Sequence, residues 1–456
     1  MDFFAVSAIL IIYYIRPQDW VPGFAGTNVI EPIAIIAIIA VFLCRRTRIQ
    51  GRHFRTPQNW LMLLYGSYII LTSPDLNEAL TGFLPLAVFY WVTLESLDSE
   101  KRIVTYLNLW FAMLMSVAGL GVMSLYGIDL TGAAEMTERF KGRLALGTWI
   151  HGNPNSLAHT VIVAIPVCYF LMIWRSGMLN RLQAIPLLII AGYCVYCAQS
   201  RGAFVAGILL VAFALVLGRG KLVHLFAVLF LLSSATALLS TLPRMKFDIR
   251  SDEGIQGRIM AWEIARTSSR RELSGEGWKK FDAYIEYEGR TSRKATHSCY
   301  VRVAADLGYP GLFLYWAIMW CALRSLFTLK IESIEVERLR RVLLVMLGAY
   351  IISGWMIDRS YYVEYFLIAA VSAALHRLQS EKTGAQIASY YEGSPGRHGC
   401  METGSKPGYP AQDIDEEPMD TKRHLPWARF GLLDCAVTIA LTYATLRVWD
   451  YILETF

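Results

Sequence analysis

Residues 182–217 read LQAIPLLIIAGYCVYCAQSRGAFVAGILLVAFALVL, an apolar run of 36 residues interrupted at Gln199-Ser200-Arg201-Gly202. Wound as one helix it would extend roughly 54 Å, nearly twice the hydrocarbon thickness of a bilayer. The chain must therefore turn at Arg201, and the run is two membrane spans. Hydrocarbon offers no partners to backbone N–H and C=O groups, so apolar runs of this kind are helices. The fold class that follows is all-α: a polytopic transmembrane helical bundle.

Working outward, further apolar runs fall near 2–15, 29–44, 59–73, 79–95, 103–126, 155–174, 222–242, 311–329, 341–357, 361–377 and 430–448. With the two halves of the first stretch they make about thirteen candidate helices. The first is short for a bilayer and the last can lie at the interface, so twelve spans fit equally well. Hydrophobic residues make up 55% of the chain and charged residues 18%, which excludes an ordinary soluble enzyme. No basic residue precedes the first run and no small-residue cleavage site precedes Arg16, so it reads as a retained helix. Six of the cysteines, Cys44, Cys168, Cys194, Cys197, Cys321 and Cys435, lie in or beside apolar runs, which makes them packing residues, not a disulfide framework.

Positive charge in short loops sets orientation. Arg45, Arg46, Arg48, Arg52 and Arg55 form the densest such cluster. Counting helices from it predicts that the N-terminus, Lys101-Arg102, 175–181, 219–221 and 338–341 share the cytoplasmic side, and that 128–154 and the long loop 242–310 face outward. Residues 379–429 lose periodicity and gain Gly, Pro, Ser and charge, a composition that cannot offset ordering entropy and reads as a disordered cytoplasmic linker. The expected organisation is N-terminal spans over 1–135, a core over 136–378, that linker, and a C-terminal hydrophobic helix over 430–456.

Four places carry polar chemistry at the outer face. Arg201 caps a tight hairpin so close to hydrocarbon that it either faces a polar cavity and an anion or snorkels to headgroups. Arg258, in Gly257-Arg258-Ile259-Met260-Ala261-Trp262, stands near the start of a short amphipathic helix expected to lie against the membrane. Its guanidinium either grips a diphosphate bidentately or is one solvated cation among several. His297 precedes a helix that Thr296 or Ser298 can cap and that is expected to end at Gly308, before Pro310. There its imidazole either accepts a proton from an attacking hydroxyl or is a polar surface group. His151, Asn153 and Asn155 enter the sixth helix, and serve equally as sugar-hydroxyl ligands or as helix-start residues. No H-E-x-x-H, paired C-x-x-C or Gly-rich phosphate loop is present, so neither metal nor nucleotide is expected.

Ser200-Arg201-Gly202 at a helix junction, Gly257-Arg258 with Trp262 in a long loop, and the segment from His297 through Tyr300 to Gly308 and Gly311 resemble the bacterial O-antigen ligase and O-antigen polymerase superfamily. The resemblance spans roughly 140–375 and rests most on the His297 segment. It implies a multi-pass protein of the bacterial inner membrane, active at its periplasmic face, that moves a glycan from undecaprenyl diphosphate to an acceptor hydroxyl. It also implies a metal-free, cofactor-free, inverting transfer, with membrane lipids and a lipid or glycan acceptor as partners and no nucleic acid. On this resemblance Arg201 and Arg258 neutralise the donor diphosphate, His297 orients or deprotonates the acceptor, and Tyr300 joins the substrate-binding set. A ligase, a polymerase and a protein O-oligosaccharyltransferase share the pattern. A transporter is the alternative from another class.

Overall fold

A computed structural model describes residues 2–24, 27, 29–45, 56–217, 229, 233, 253–287, 290–392 and 430–455. The helices are α1 (Asp2–Ile15), α2 (Ile30–Arg45), α3 (Pro57–Thr72), α4 (Leu76–Ser96), α5 (Glu100–Leu125) and the short α6 (Ala133–Arg139). They continue with α7 (Pro154–Ile173), α8 (Met178–Ala198), α9 (Arg201–Val216) and α10 (Glu253–Arg271). The last four are α11 (Cys299–Phe327), α12 (Ile334–Ser353), α13 (Val363–Glu392) and α14 (Leu432–Thr455). Six of them, α4, α5, α7, α8, α11 and α14, are long and apolar enough to cross a membrane, and Ile30–Cys44 and Arg201–Val216 are shorter apolar helices. The protein is a helical membrane protein, and the run at 222–242 lies outside the described residues.

The turn at residue 200 is built as its sequence demands. Gln199 ends α8 in the left-handed region (φ 49°), and Ser200 Oγ accepts from Ala203 N at 3.4 Å to cap α9. The two helices do not pair into a hairpin, however. α8 packs on α5 and α7, and α9 packs on α7 and α12, so α7 lies between them. Arg341 Nη1 donates to the carbonyl of Leu217 at 2.6 Å, and Arg338 Nη2 to those of Trp174 and Arg175, which gathers the far ends of α7, α9 and the start of α12.

One expectation is met and two are adjusted. The helix from Ser298 stops at Gly308, whose backbone is non-helical (φ 65°, ψ −168°), and a second helical stretch continues across that kink to Phe327. α10 does not rest its apolar face on lipid alone: Ala261, Trp262 and Ala265 are buried, and Trp262 Nε1 donates to the Thr296 carbonyl at 2.6 Å. α13 continues helically to Glu392, into the segment expected to be a linker, while 393–429 lies outside the described residues.

Between α10 and α11 the chain forms a hairpin of β1 (Ala283–Tyr287) and β2 (Arg290–Lys294), antiparallel with Ala283 opposite Lys294. Asp306, fully buried in α11, anchors this segment. Its carboxylate accepts from Phe281 N (3.0 Å), Arg302 Nε (2.7 Å) and the Tyr361 hydroxyl (2.9 Å), and its carbonyl accepts from Gly277 N (2.7 Å). A buried carboxylate saturated this way is stabilising only with every partner present.

Candidate functional site

The loop joining α12 to α13, residues 354–362, is where the separate pieces meet. On one side Cys299 N donates to the Gly354 carbonyl at 2.7 Å, and the Arg359 N donates to Cys299 Sγ at 3.1 Å. This seats the His297 turn directly on the loop. On the other side, a Cβ on Gly202 would lie 3.1 Å from both His159 Nε2 and Met356 Sδ. The backbone beside Arg201 thus rests on α7 and on the same loop. His159 is buried, with Nδ1 2.9 Å from Ser353 Oγ at the end of α12.

Arg258 is partly buried on α10, about one turn before Trp262, whose Nε1 bonds the Thr296 carbonyl beside His297. His297 itself is held at φ 49°, a conformation costly for a residue with a Cβ. Two bonds enforce it: the Thr296 carbonyl is taken by Trp262, and Ser298 Oγ accepts from Val301 N at 3.5 Å to start α11. Burial, and after it the Arg258 charge, push the His297 imidazole down to about 4. It is therefore neutral at physiological pH, with a lone pair free on one nitrogen.

The remaining candidates are placed differently. His151 is wholly buried and its pKa is pushed down to about 3, chiefly by burial and then by the charges of Arg359 and Arg16. Asn153 caps α7 by accepting from Asn155 N at 2.8 Å, and Asn155 Oδ1 accepts from Arg143 Nη2 at 2.7 Å. Tyr300 is buried, stacked on Trp316 with ring centroids 4.9 Å apart, and donates to the Ile351 carbonyl at 2.8 Å. Asn153, Asn155 and Tyr300 spend polar atoms inside the fold, and His151 is buried with no hydrogen-bond partner at either ring nitrogen among the described residues. Trp262 of α10, the helix that carries Arg258, bonds the Thr296 carbonyl beside His297, and the backbone beside Arg201 lies by His159.

Three groups there escaped the sequence reading: His159, Asp358 and Arg359. Arg359 is buried and engaged at both terminal nitrogens, giving to Glu364 Oε1 (2.9 Å) from Nη1 and to the Ser156 carbonyl (2.8 Å) and hydroxyl (2.9 Å) and Thr160 Oγ1 (2.5 Å) from Nη2. It ties α7 to the loop. Asp358 accepts from Ser360 N and Oγ, and burial raises its pKa against the pull of Arg302 and Lys279. An Asp-Arg pair between two apolar runs so closely spaced was the available signal, since ionisable groups at such a depth need partners. A cavity lined by Tyr14, His159, Tyr350, Arg359 and Glu364 opens beneath the loop. Chemically the region offers cationic guanidinium groups beside a neutral imidazole, a set suited to an anionic leaving group and a hydroxyl nucleophile.

A family model described as O-Antigen ligase matches residues 186–316, from α8 to the middle of α11, and that stretch contains Arg201, Arg258 and His297. No curated protein matches the chain.

Proposed function

We propose that this chain, which belongs to the O-antigen ligase superfamily through residues 186–316, is a lipid-linked glycan ligase that acts at the periplasmic face of the inner membrane. The family carries O-antigen ligase or polymerase activity on glycans in a membrane. In our reading the donor is a glycan on undecaprenyl diphosphate. The acceptor hydroxyl oxygen attacks the anomeric carbon, the bond to the diphosphate oxygen breaks with its electron pair, and the configuration inverts. The hydroxyl proton passes to the neutral His297 imidazole. Arg201 and Arg258 take up the charge that grows on the departing diphosphate.

One observation supports this most. Trp262 of α10, about one turn beyond Arg258, bonds the Thr296 carbonyl beside His297, while the Arg201 turn packs on His159 through Gly202. A second lipid-linked glycan as acceptor would make the same chemistry a polymerase reaction. In a deletion strain, long chains left on the carrier lipid mark a ligase and single units mark a polymerase.

The deciding experiment replaces Arg201, Arg258 and His297 singly with Ala and measures transfer in vitro from a purified lipid-linked donor. Each variant should lose about 100-fold or more in kcat at normal membrane levels. Arg201→Lys should recover little, because a point charge cannot reproduce a bidentate fork. Full activity in any Ala variant removes that residue from the mechanism.

A further inference from the structure

The C-terminal helix α14 meets the rest of the protein at two charged ends. Near its start Asp434 accepts from Arg324 and from Trp320 Nε1 (2.9 Å), both on α11. Near its end Asp450 accepts from Arg266 Nε (2.6 Å) and Nη2 (2.8 Å), a guanidinium fork on a carboxylate. The two aspartates stand about 16 residues apart, roughly 24 Å along a helix, so they secure opposite ends of α14. Between them Trp316 Nε1 donates to Thr445 Oγ1 at 3.0 Å, and Thr438, Thr442 and Trp449 are buried.

Arg266 belongs to α10, about two turns beyond Arg258. Its Nη1 donates to the Tyr309 hydroxyl at 2.6 Å, beside the kink of α11, and its guanidinium lies 5.4 Å from the centre of the Trp449 ring. Eight positions on a helix turn through roughly 80° beyond two full circles, so Arg258 and Arg266 occupy adjoining faces. Rotating α10 enough to break the Asp450 fork therefore moves Arg258. The fork restrains α10 from a helix that lies outside the matched stretch 186–316.

We propose that α14 is a strap that holds α10 in register, with Arg266 and Asp450 as positioning residues for Arg258. The inference rests on the reading that Arg258 serves the donor diphosphate. The test uses the full chain in lipid nanodiscs and two readouts: hydrogen exchange of residues 253–265, and transfer from an undecaprenyl-diphosphate-linked donor. Asp450→Asn should speed exchange in that segment and lower kcat about 10-fold or more. Arg270 Nη2 also lies 3.4 Å from Asp450, so the swapped pair, Arg266→Asp with Asp450→Arg, made together with Arg270→Gln, should restore both towards wild type. If Asp450→Asn does not reach the membrane, Arg266→Gln, which breaks the same fork from the α10 side, serves in its place. Unchanged exchange overturns the strap whatever happens to transfer. Faster exchange with full transfer overturns it as well, given an inactive Arg258→Ala. A fully active Arg258→Ala overturns the diphosphate reading instead, and the strap then stands or falls on exchange and the swap.

Discussion

A Cβ on Gly202 would come within 3.1 Å of His159 Nε2 and Met356 Sδ, a tight approach, and that closeness brings the Arg201 turn onto the loop at 354–362. At the same scale, His297 owes its neutrality to burial and to Arg258. The sign of the pH effect follows. Its native pKa of about 4 lies below the ordinary 6.5, so the unfolded chain binds the proton first. The native state then loses stability as pH falls from 6.5 towards 4. Transfer should hold its rate well below the ordinary histidine range. In Arg258→Gln one positive neighbour is gone, the His297 pKa rises, and the acid limb of the residual activity should move to higher pH. A pH–rate series that leaves the limb in place would show that His297 is not the titrating base.

Among elements, the junction between the loop and α11 depends on glycine in a way no periodicity reveals. A Cβ on Gly308 would fall 1.8 Å from the Leu273 carbonyl oxygen, and one on Gly275 would fall 2.5 Å from the Asp306 carbonyl. Both residues also hold positive φ. Gly308→Ala must therefore shift the backbone that carries Asp306 and its partners, and should cost at least ~2 kcal/mol. The check is thermal denaturation followed by size-exclusion chromatography, where Gly308→Ala should melt several degrees lower than wild type. An unchanged melting point would mean that the loop can slide off the kink without penalty.

Across the molecule, both ends of the chain are built into the bundle. Asp2 pairs with Arg102 at 3.1 Å, Trp110 Nε1 donates to the Tyr14 hydroxyl at 2.9 Å, and Tyr14 lines the cavity that Arg359 and Glu364 also border. At the other terminus the Arg324–Asp434 pair is almost wholly buried. Asp434→Ala leaves an uncompensated charge and should destabilise by about 3–5 kcal/mol, whereas Arg324→Met with Asp434→Leu should come close to wild type. Melting curves of the two variants in nanodiscs separate these outcomes. Equal losses would mean that the pair itself, and not the orphaned charge, carries the energy.

The helical membrane character, the break at Arg201 and the family resemblance were legible along the chain, because span length and the cost of a charge in hydrocarbon are local properties. So were the caps: Ser200, Ser298 and Asn153 stand where their helices begin. The partners of these elements were not legible. That α7 separates α8 from α9, that α10 turns its tryptophan to the Thr296 carbonyl, and that the loop at 354–362 gathers three distant segments depend on contacts between residues far apart in sequence. Periodicity tells which face of a helix is apolar but not whether lipid or protein covers it. His151 and Tyr300 show the same limit, since burial is decided by what packs on a residue, and only the tertiary structure supplies that.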